Sequence, residues 1–329
     1  MYRRRCLTSS PQGVGRDCLI GSTGFVGSAL RRQHDFEGNY TSRNIASIGE
    51  GSWDTVVCAA APGSMFEANI APESDARKVE ALCNDLRKIR TRRFVLISSI
   101  AVLENFAGQD DEDSTRFQQV LAYGRNRRAL EVFCLEQFED CLVVRLPALF
   151  GPGLRKNFLF DLMNPMPSML NEARLATLRE GLEPSQAAFL DAVYHHDPAT
   201  GMLKLDRAAY DADPRRGEMD AAVMALGASA TQFHNPETTY QYYDIMRLWQ
   251  DIGIATQARL KLVHLATEPL RADRIHRRLI GRDMPDTGAR LHHEDMRTRH
   301  AGLWGRQGGY LQDADEVLNS LASFFAAGK

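Results

Sequence analysis

The sequence predicts an α/β fold: a doubly wound parallel sheet followed by a smaller, mostly helical second half. Three observations carry this prediction. Short apolar runs at 17–20, 53–61, 93–99 and 141–147 alternate with stretches of helical spacing, the pattern of strands joined by crossover helices. The first run stops at a glycine-rich turn, and beyond Gly151-Pro152-Gly153 the alternation gives way to proline-broken helical pieces. Finally, 329 residues with 44% hydrophobic and 25% charged content suffice for about two domains and are unlike collagen, disordered chains or disulfide scaffolds.

Taken in order, Asp17-Cys18-Leu19-Ile20 is a first strand, running into Gly21-Ser22-Thr23-Gly24-Phe25-Val26-Gly27 and a helix. A second strand is expected near Gly38–Arg43, and Trp53–Ala61 is a buried strand ended by Pro62-Gly63. Between 73 and 90, apolar residues recur at Ala76, Val79, Leu82, Cys83, Leu86 and Ile89, which is helical spacing. Arg93–Ser99 is the next strand, Tyr123–Phe138 a helix and Cys141–Pro147 another strand. Residues 155–230 read as short helices, with Asp211–Glu218 as a polar connection. Lys261–Leu265 returns as a strand and Asp315–Ala326 closes the chain as a helix. The first 15 residues read as a disordered or extended N-terminus.

The charges nearly cancel, 40 basic against 42 acidic, so no cationic surplus exists to grip nucleic acid or an anionic membrane. Lysine stands at only six positions, leaving 34 arginines. The six cysteines form no CxxC pair and several lie in apolar runs, as buried thiols of a reducing compartment do. The basic N-terminus lacks the apolar core of a signal peptide, and no run approaches the ~18 apolar residues of a membrane span. A cytoplasmic location is expected. No metal is expected either, because His195-His196 and His292-His293 are adjacent pairs without ligand spacing.

Gly21, Gly24 and Gly27 space as G-x-x-G-x-x-G. Glycines there permit positive φ and let backbone N–H groups of the turn, including Thr23, Phe25 and Val26, approach a pyrophosphate favoured by the helix N-terminus. A purely structural turn has the same spacing; position at the first strand–helix junction favours the dinucleotide. About 20 residues on, an acidic side chain would meet the adenosine ribose of NAD. Ser42 and Arg43 stand there instead, 22 residues after Gly21 in the case of Arg43. They suit a 2′-phosphate, hence NADP with NAD as the alternative, although a solvated Arg43 fits an arginine-rich chain as well.

The glycine turn, Ser98-Ser99-Ile100-Ala101-Val102 after a strand, Tyr123-Gly124-Arg125-Asn126-Arg127 opening a helix, and Arg145-Leu146-Pro147-Ala148-Leu149-Phe150-Gly151-Pro152 occur in this order. Together they resemble the extended short-chain dehydrogenase/reductases, the NAD-dependent epimerase/dehydratase group, across residues 17–160. The rest of the chain resembles, more weakly, a little-characterised branch tied to sugar metabolism. The resemblance implies a Rossmann-like NAD(P)-binding domain over 16–155 with a segment near 240–268 returning to it, and a substrate-binding cap over 156–329. A homodimer through helices of the first half is implied too.

By the same resemblance Ser99 polarises the reacting oxygen, with Ser98 as the neighbouring candidate and a cofactor contact, and Tyr123 transfers the proton. Ala59, Ala60 and Ala61 would lie under the adenosine ribose, and Leu146, Pro147, Ala148 and Leu149 beside the nicotinamide. The family sets a lysine four residues after the tyrosine, to lower a phenol whose ordinary pKa is ~10 and to hold the nicotinamide ribose. This chain has Arg127, on the same helix face as Tyr123. Three readings are open: tolerated drift with activity retained, altered chemistry, or lost catalysis with the cofactor still bound, since a planar fork fits a ribose diol differently from an ammonium.

For the substrate, Lys156-Asn157-Phe158 at the cap entry, Asn157 above all, is a candidate contact or a helix start. Arg297 and Arg299 are candidates for a phosphate or carboxylate clamp, or a solvated charge run. The expected activity is an NAD(P)-dependent oxidoreductase or epimerase acting on a sugar, nucleotide-linked, without nucleic-acid or membrane partners. The competing expectation is a noncatalytic dinucleotide-binding or redox-sensing protein.

Overall fold

A computed structural model describes residues 15–328; the N-terminal extension expected over 1–15 lies almost wholly outside them. The first strands and helices are β1 (Asp17–Ile20), α1 (Phe25–Gln33), β2 (Gly38–Tyr40), β3 (Ser52–Cys58), α2 (Met65–Ile70), α3 (Pro72–Leu86), β4 (Arg90–Ser99), α4 (Ala122–Gln137), β5 (Cys141–Leu146) and β6 (Ala148–Phe150). Then follow α5 (Phe158–Met163), β7 (Met169–Leu170), α6 (Glu172–Glu180), α7 (Pro184–Val193), β8 (Tyr194–Asp197), β9 (Met202–Leu205), α8 (Arg207–Ala212) and α9 (Arg216–Ala225). The chain closes with β10 (Thr239–Tyr240), β11 (Tyr242–Asp244), α10 (Leu248–Gln257), β12 (Leu262–His264), β13 (Leu270–Arg271), α11 (Ala272–Ile280) and α12 (Ala314–Ala327).

The central sheet is parallel, in the order β12-β5-β4-β3-β1-β2. Successive side chains of a strand point to opposite faces, and the apolar residues divide accordingly. Leu19, Val57, Val95, Val144 and Val263 pack with Leu30 of α1 and Leu248 and Ile252 of α10. Cys18, Ile20, Val56, Phe94, Leu96 and Val143 pack with Val79, Leu82 and Leu86 of α3 and Leu130 of α4. Burial on both faces is why these strands read as continuous apolar runs. Cys18, Cys58, Cys83, Cys134 and Cys141 are buried free thiols, and burial pushes that of Cys58 up to about 12.

Strand order reverses direction between β1 and β3. In open parallel sheets this switch opens a crevice at the carboxyl ends of the strands, where ligands bind. The glycine turn leaves β1 there and Ala59–Pro62 leaves β3.

Two elements differ from the expectation for 155–230. A three-stranded antiparallel sheet, β7-β9-β8, sits among the helices, on a separate core of Met166, Leu190, Tyr210 and Met219. Its hairpin turns at Gly201, φ +68°, but β8 is Tyr-His-His-Asp, which lacks a strand's apolar alternation. The span Asp211–Glu218 is mostly helical, belonging to α8 and α9. Among the described residues no helix is long and apolar enough to cross a membrane.

Candidate active site

Packing requires two of the three turn glycines. Gly21 has φ +85°, and a Cβ on it would lie 2.5 Å from the Ala59 carbonyl oxygen, so the ends of β1 and β3 touch through backbone. A Cβ on Gly27 would lie 2.1 Å from the Gly21 oxygen. Gly24 is different: its Cβ would meet only that oxygen, at 3.4 Å. It is the exposed N-cap of α1, with no side-chain cap and no acidic residue in the first turn. Thr23 is exposed and Phe25 and Val26 are half-buried. These features fit a pyrophosphate, since free N–H groups and the positive helix end are what an anion requires.

Ser42 and Arg43 are exposed in the turn after β2, where Asn44 Oδ1 accepts from the Thr41 backbone N–H at 2.7 Å. Ala59, Ala60 and Ala61 are half-buried, as are Ala148 and Leu149, whereas Leu146 and Pro147 are buried.

Ser98 and Ser99, adjacent in β4, have different partners. Ser98 Oγ donates to Glu131 Oε1 of α4 at 2.6 Å, so its one proton is committed to the α4 face and it can meet a cofactor only as an acceptor or through its backbone. Ser99 is half-buried at the carboxyl end of the strand, and its Oγ accepts from the Ala101 N–H at 3.2 Å. Gly124 sets α4 against this segment: a Cβ there would lie 1.9 Å from the Ala101 oxygen. The N-terminus of α4, which carries Tyr123, is thereby pressed onto the turn after Ser99. The Tyr123 N–H, one of the unpaired first-turn donors of α4, donates to Asn69 Oδ1 of α2 at 3.0 Å.

Arg127 is only 3% exposed and is locked on three sides. Its Nη1 and Nη2 donate to the two Asp75 oxygens at 2.9 and 3.0 Å. Nη2 also donates to the Pro62 carbonyl. The guanidinium carbon lies 4.5 Å from the centroid of the Tyr123 ring, in cation–π contact. Burial pushes the Asp75 carboxyl up, but the Arg127 and Asn126 hydrogen bonds outweigh this and hold it below the ordinary value. Arg127 Nε is buried without a partner, a donor for which a ribose hydroxyl is a suitable acceptor. A lysine cannot make this paired contact, so the arginine and Asp75 form a unit. Asn69 and Asp75 were not legible in the sequence as site residues; each is brought in by tertiary packing.

The substrate candidates have partners of their own. Asn157 caps α5: Oδ1 accepts from Phe160 N–H at 3.1 Å, and Nδ2 donates to the Leu149 carbonyl at 2.8 Å. Its φ of +123° makes it a backbone outlier as well, so it is a helix start whose amide is already used. Arg299 pairs with Asp113, and Arg297 lies 3.6 Å from Asp295 and over the Tyr310 ring. Arg299 is thus taken up by a carboxylate, whereas Arg297 only stands near one, and its Nε is buried without a hydrogen-bond partner. Among the described residues no cluster of three or more His, Cys, Asp or Glu could hold a metal.

A parallel sheet with a glycine turn at its switch point and flanking helices defines the class of Rossmann-like α/β folds. The model of the NAD-dependent epimerase/dehydratase family matches residues 18–211, and the chain belongs to that family. No curated protein matches the sequence. Solved structures match its fold at low identity. The dTDP-4-dehydrorhamnose reductase of Bacillus anthracis, in complex with NADP, is 12% identical with a TM-score of 0.57, over 95% of this chain and 98% of that one. The UDP-N-acetylglucosamine 4-epimerase of Methanobrevibacter ruminantium is 11% identical with a TM-score of 0.58, over 95% and 97%. MoeE5, in complex with UDP-glucose and NAD, is 14% identical with a TM-score of 0.57, over 95% and 98%.

Proposed function

We propose that this protein is an NAD(P)-dependent oxidoreductase or epimerase acting on a nucleotide-linked sugar. The observation that carries this is the convergence of the glycine turn, Ser99 and Tyr123 on the carboxyl edge of one parallel sheet. A dinucleotide bound there would supply hydride exchange with a sugar carbon. Gly24 and the α1 N-terminus would hold its pyrophosphate, with Ala59–Ala61 beneath the adenosine ribose and Ala148 and Leu149 beside the nicotinamide. Ser99 Oγ would donate to the reacting oxygen and orient it, while the Tyr123 phenol gives or takes its proton. Arg127 fixes the Tyr123 ring and the Pro62 turn. Support for the sugar comes from the three matched structures: two are named for nucleotide-sugar substrates and the third holds UDP-glucose.

Tyr123→Phe is expected to lower kcat by about 10²–10⁴-fold, the usual contribution of a positioned acid–base group, with cofactor affinity retained. Stopped-flow hydride transfer from NADPH or NADH to keto- and nucleotide-sugars checks this; unchanged turnover in the variant refutes the role. Arg43 would meet the 2′-phosphate of NADP, so Arg43→Ala should weaken NADPH by roughly tenfold, as for a lost charged hydrogen bond, and leave NADH unaffected. An unchanged NADPH/NADH affinity ratio in fluorescence titration defeats the NADP preference.

A second reading, a noncatalytic NAD(P)-binding or redox-sensing protein, draws on the pairing of Arg127 with Asp75. It predicts a wild type that binds cofactor but exchanges no hydride with any keto- or nucleotide-sugar.

A further inference from the structure

The segment between β6 and α5 touches both loops of the crevice. A Cβ at Gly153 would lie 3.8 Å from Phe25 in the glycine turn. Three residues on, Lys156 Nζ donates to the Gly63 carbonyl beyond β3 at 2.6 Å. The preceding carbonyl, of Pro62, is the one that Arg127 holds. Two cations therefore grip adjacent peptide groups at the Tyr123 end of the crevice.

They are not equivalent. The Arg127 guanidinium is buried and offset by Asp75, whereas Lys156 forms no ion pair among the described residues and its side chain lies at the exposed mouth. A Cβ on Gly63 would meet nothing within 4 Å, so the space beside that peptide is open. An ammonium carries three donors; Gly63 occupies one and leaves two. The nearest opposing charge is the Glu67 carboxylate, which acts on the ammonium through space without pairing with it. A lysine among so many arginines, on a flexible four-carbon stem, also differs from its neighbour in being a compact point charge suited to a diol.

We propose that Lys156 supplies an ammonium contact to the nicotinamide-side ribose of the dinucleotide, where the Asp75-locked Arg127 has only its Nε left to offer. The cationic work of the site is then divided between two residues: Arg127 chiefly builds the wall and Lys156 brings the mobile charge to the cofactor. This assignment rests on the dinucleotide reading above.

The test is Lys156→Met, which keeps most of the stem and removes the charge. Affinities for NADPH, NADH and the fragments ADP and 2′,5′-ADP are measured by titration, together with the melting temperature. Expected is a loss of dinucleotide affinity of roughly ten- to a hundredfold, the range for a charged hydrogen bond. Fragment affinities and melting temperature should stay at wild-type values, because the fragments lack the nicotinamide ribose. Equal dinucleotide affinity in variant and wild type overturns the assignment alone, and so does an equal loss for fragments and dinucleotides, which would make Lys156 a phosphate contact. A wild type that binds neither dinucleotide overturns the function proposed above, and this assignment with it.

Discussion

Glu131→Ala is expected to lower the free energy of unfolding by about 3–5 kcal/mol, the usual loss when one partner of a buried ion pair is removed. Glu131 and Arg145 are both 0% exposed. Arg145 donates from Nε and Nη2 to the two carboxylate oxygens at 2.9 and 2.7 Å. Arg128 and Ser98 complete the shell. Deleting the carboxylate leaves a buried guanidinium with a hydrogen bond to His264, at 3.1 Å. Because guanidinium only donates, His264 Nε2 accepts there and Nδ1 carries the proton toward the Arg297 carbonyl, 2.8 Å away. Burial lowers the His264 pKa, which suits this neutral tautomer.

Ser98, Arg145 and His264 are in register across β4, β5 and β12, so the loss is shared by three strands and should appear as cooperative unfolding at lower urea. The pH dependence has a definite sign. Burial pushes the Glu131 carboxyl up, but the Arg145, Ser98 and Arg128 bonds outweigh it and leave it below its ordinary value. A depressed carboxylate stabilises above its unfolded pKa and loses that stabilisation as pH falls through the folded value. The stability gap between wild type and Glu131→Gln therefore narrows in acid. A gap below about 1 kcal/mol at neutral pH, the range of exposed pairs, would contradict this account.

The sheet was legible because its strands are buried on both faces and read as apolar runs, and because glycine and proline punctuate them. The placement of the motif residues was legible for a local reason: Gly21, Ser99 and Tyr123 stand at the ends of the strands and helix that precede or carry them in the chain. Arg145 appeared only as part of a motif, and its role depends on Glu131, 14 residues away in sequence on a helix crossing the sheet. Asp75 is 52 residues from Arg127, and no local spacing could have paired them. The same limit explains Arg297 and Arg299. As a charge pair they suggest a clamp, and nothing local in the sequence shows that folding brings Asp113 to Arg299 and Asp295 near Arg297. The backbone of this segment is held instead: Glu112 accepts from the His264 and Arg299 N–H groups at 2.7 and 2.9 Å. The β8–β9 hairpin was missed because its polar residues hide the alternation on which strand recognition depends.

Gly24→Ala and Gly27→Ala should separate a ligand site from a mere turn, and their effects should fall on different observables. At Gly27 the new Cβ would stand 2.1 Å from the Gly21 oxygen and 3.0 Å from the Ser22 Cα. Both are backbone, so α1 must move off the end of β1, and Leu30, fully buried on that helix, moves with it. Strain of this kind belongs to the severe class of point mutations, above roughly 4 kcal/mol, and should show as lost soluble protein or a large fall in melting temperature. At Gly24 the Cβ stands at an ordinary 3.4 Å, on backbone with φ −71° and ψ 171° that any residue adopts. Gly24→Ala should therefore fold and melt like wild type. Its cost should fall on the dinucleotide alone, because the methyl occupies the approach to the free N–H groups of α1 that a pyrophosphate needs. A loss of affinity of at least about tenfold, equal for NADH and NADPH, is expected, as the pyrophosphate is common to both. Undiminished binding in Gly24→Ala would show that the turn serves only to join β1 to α1, which is the one other explanation of its glycine spacing.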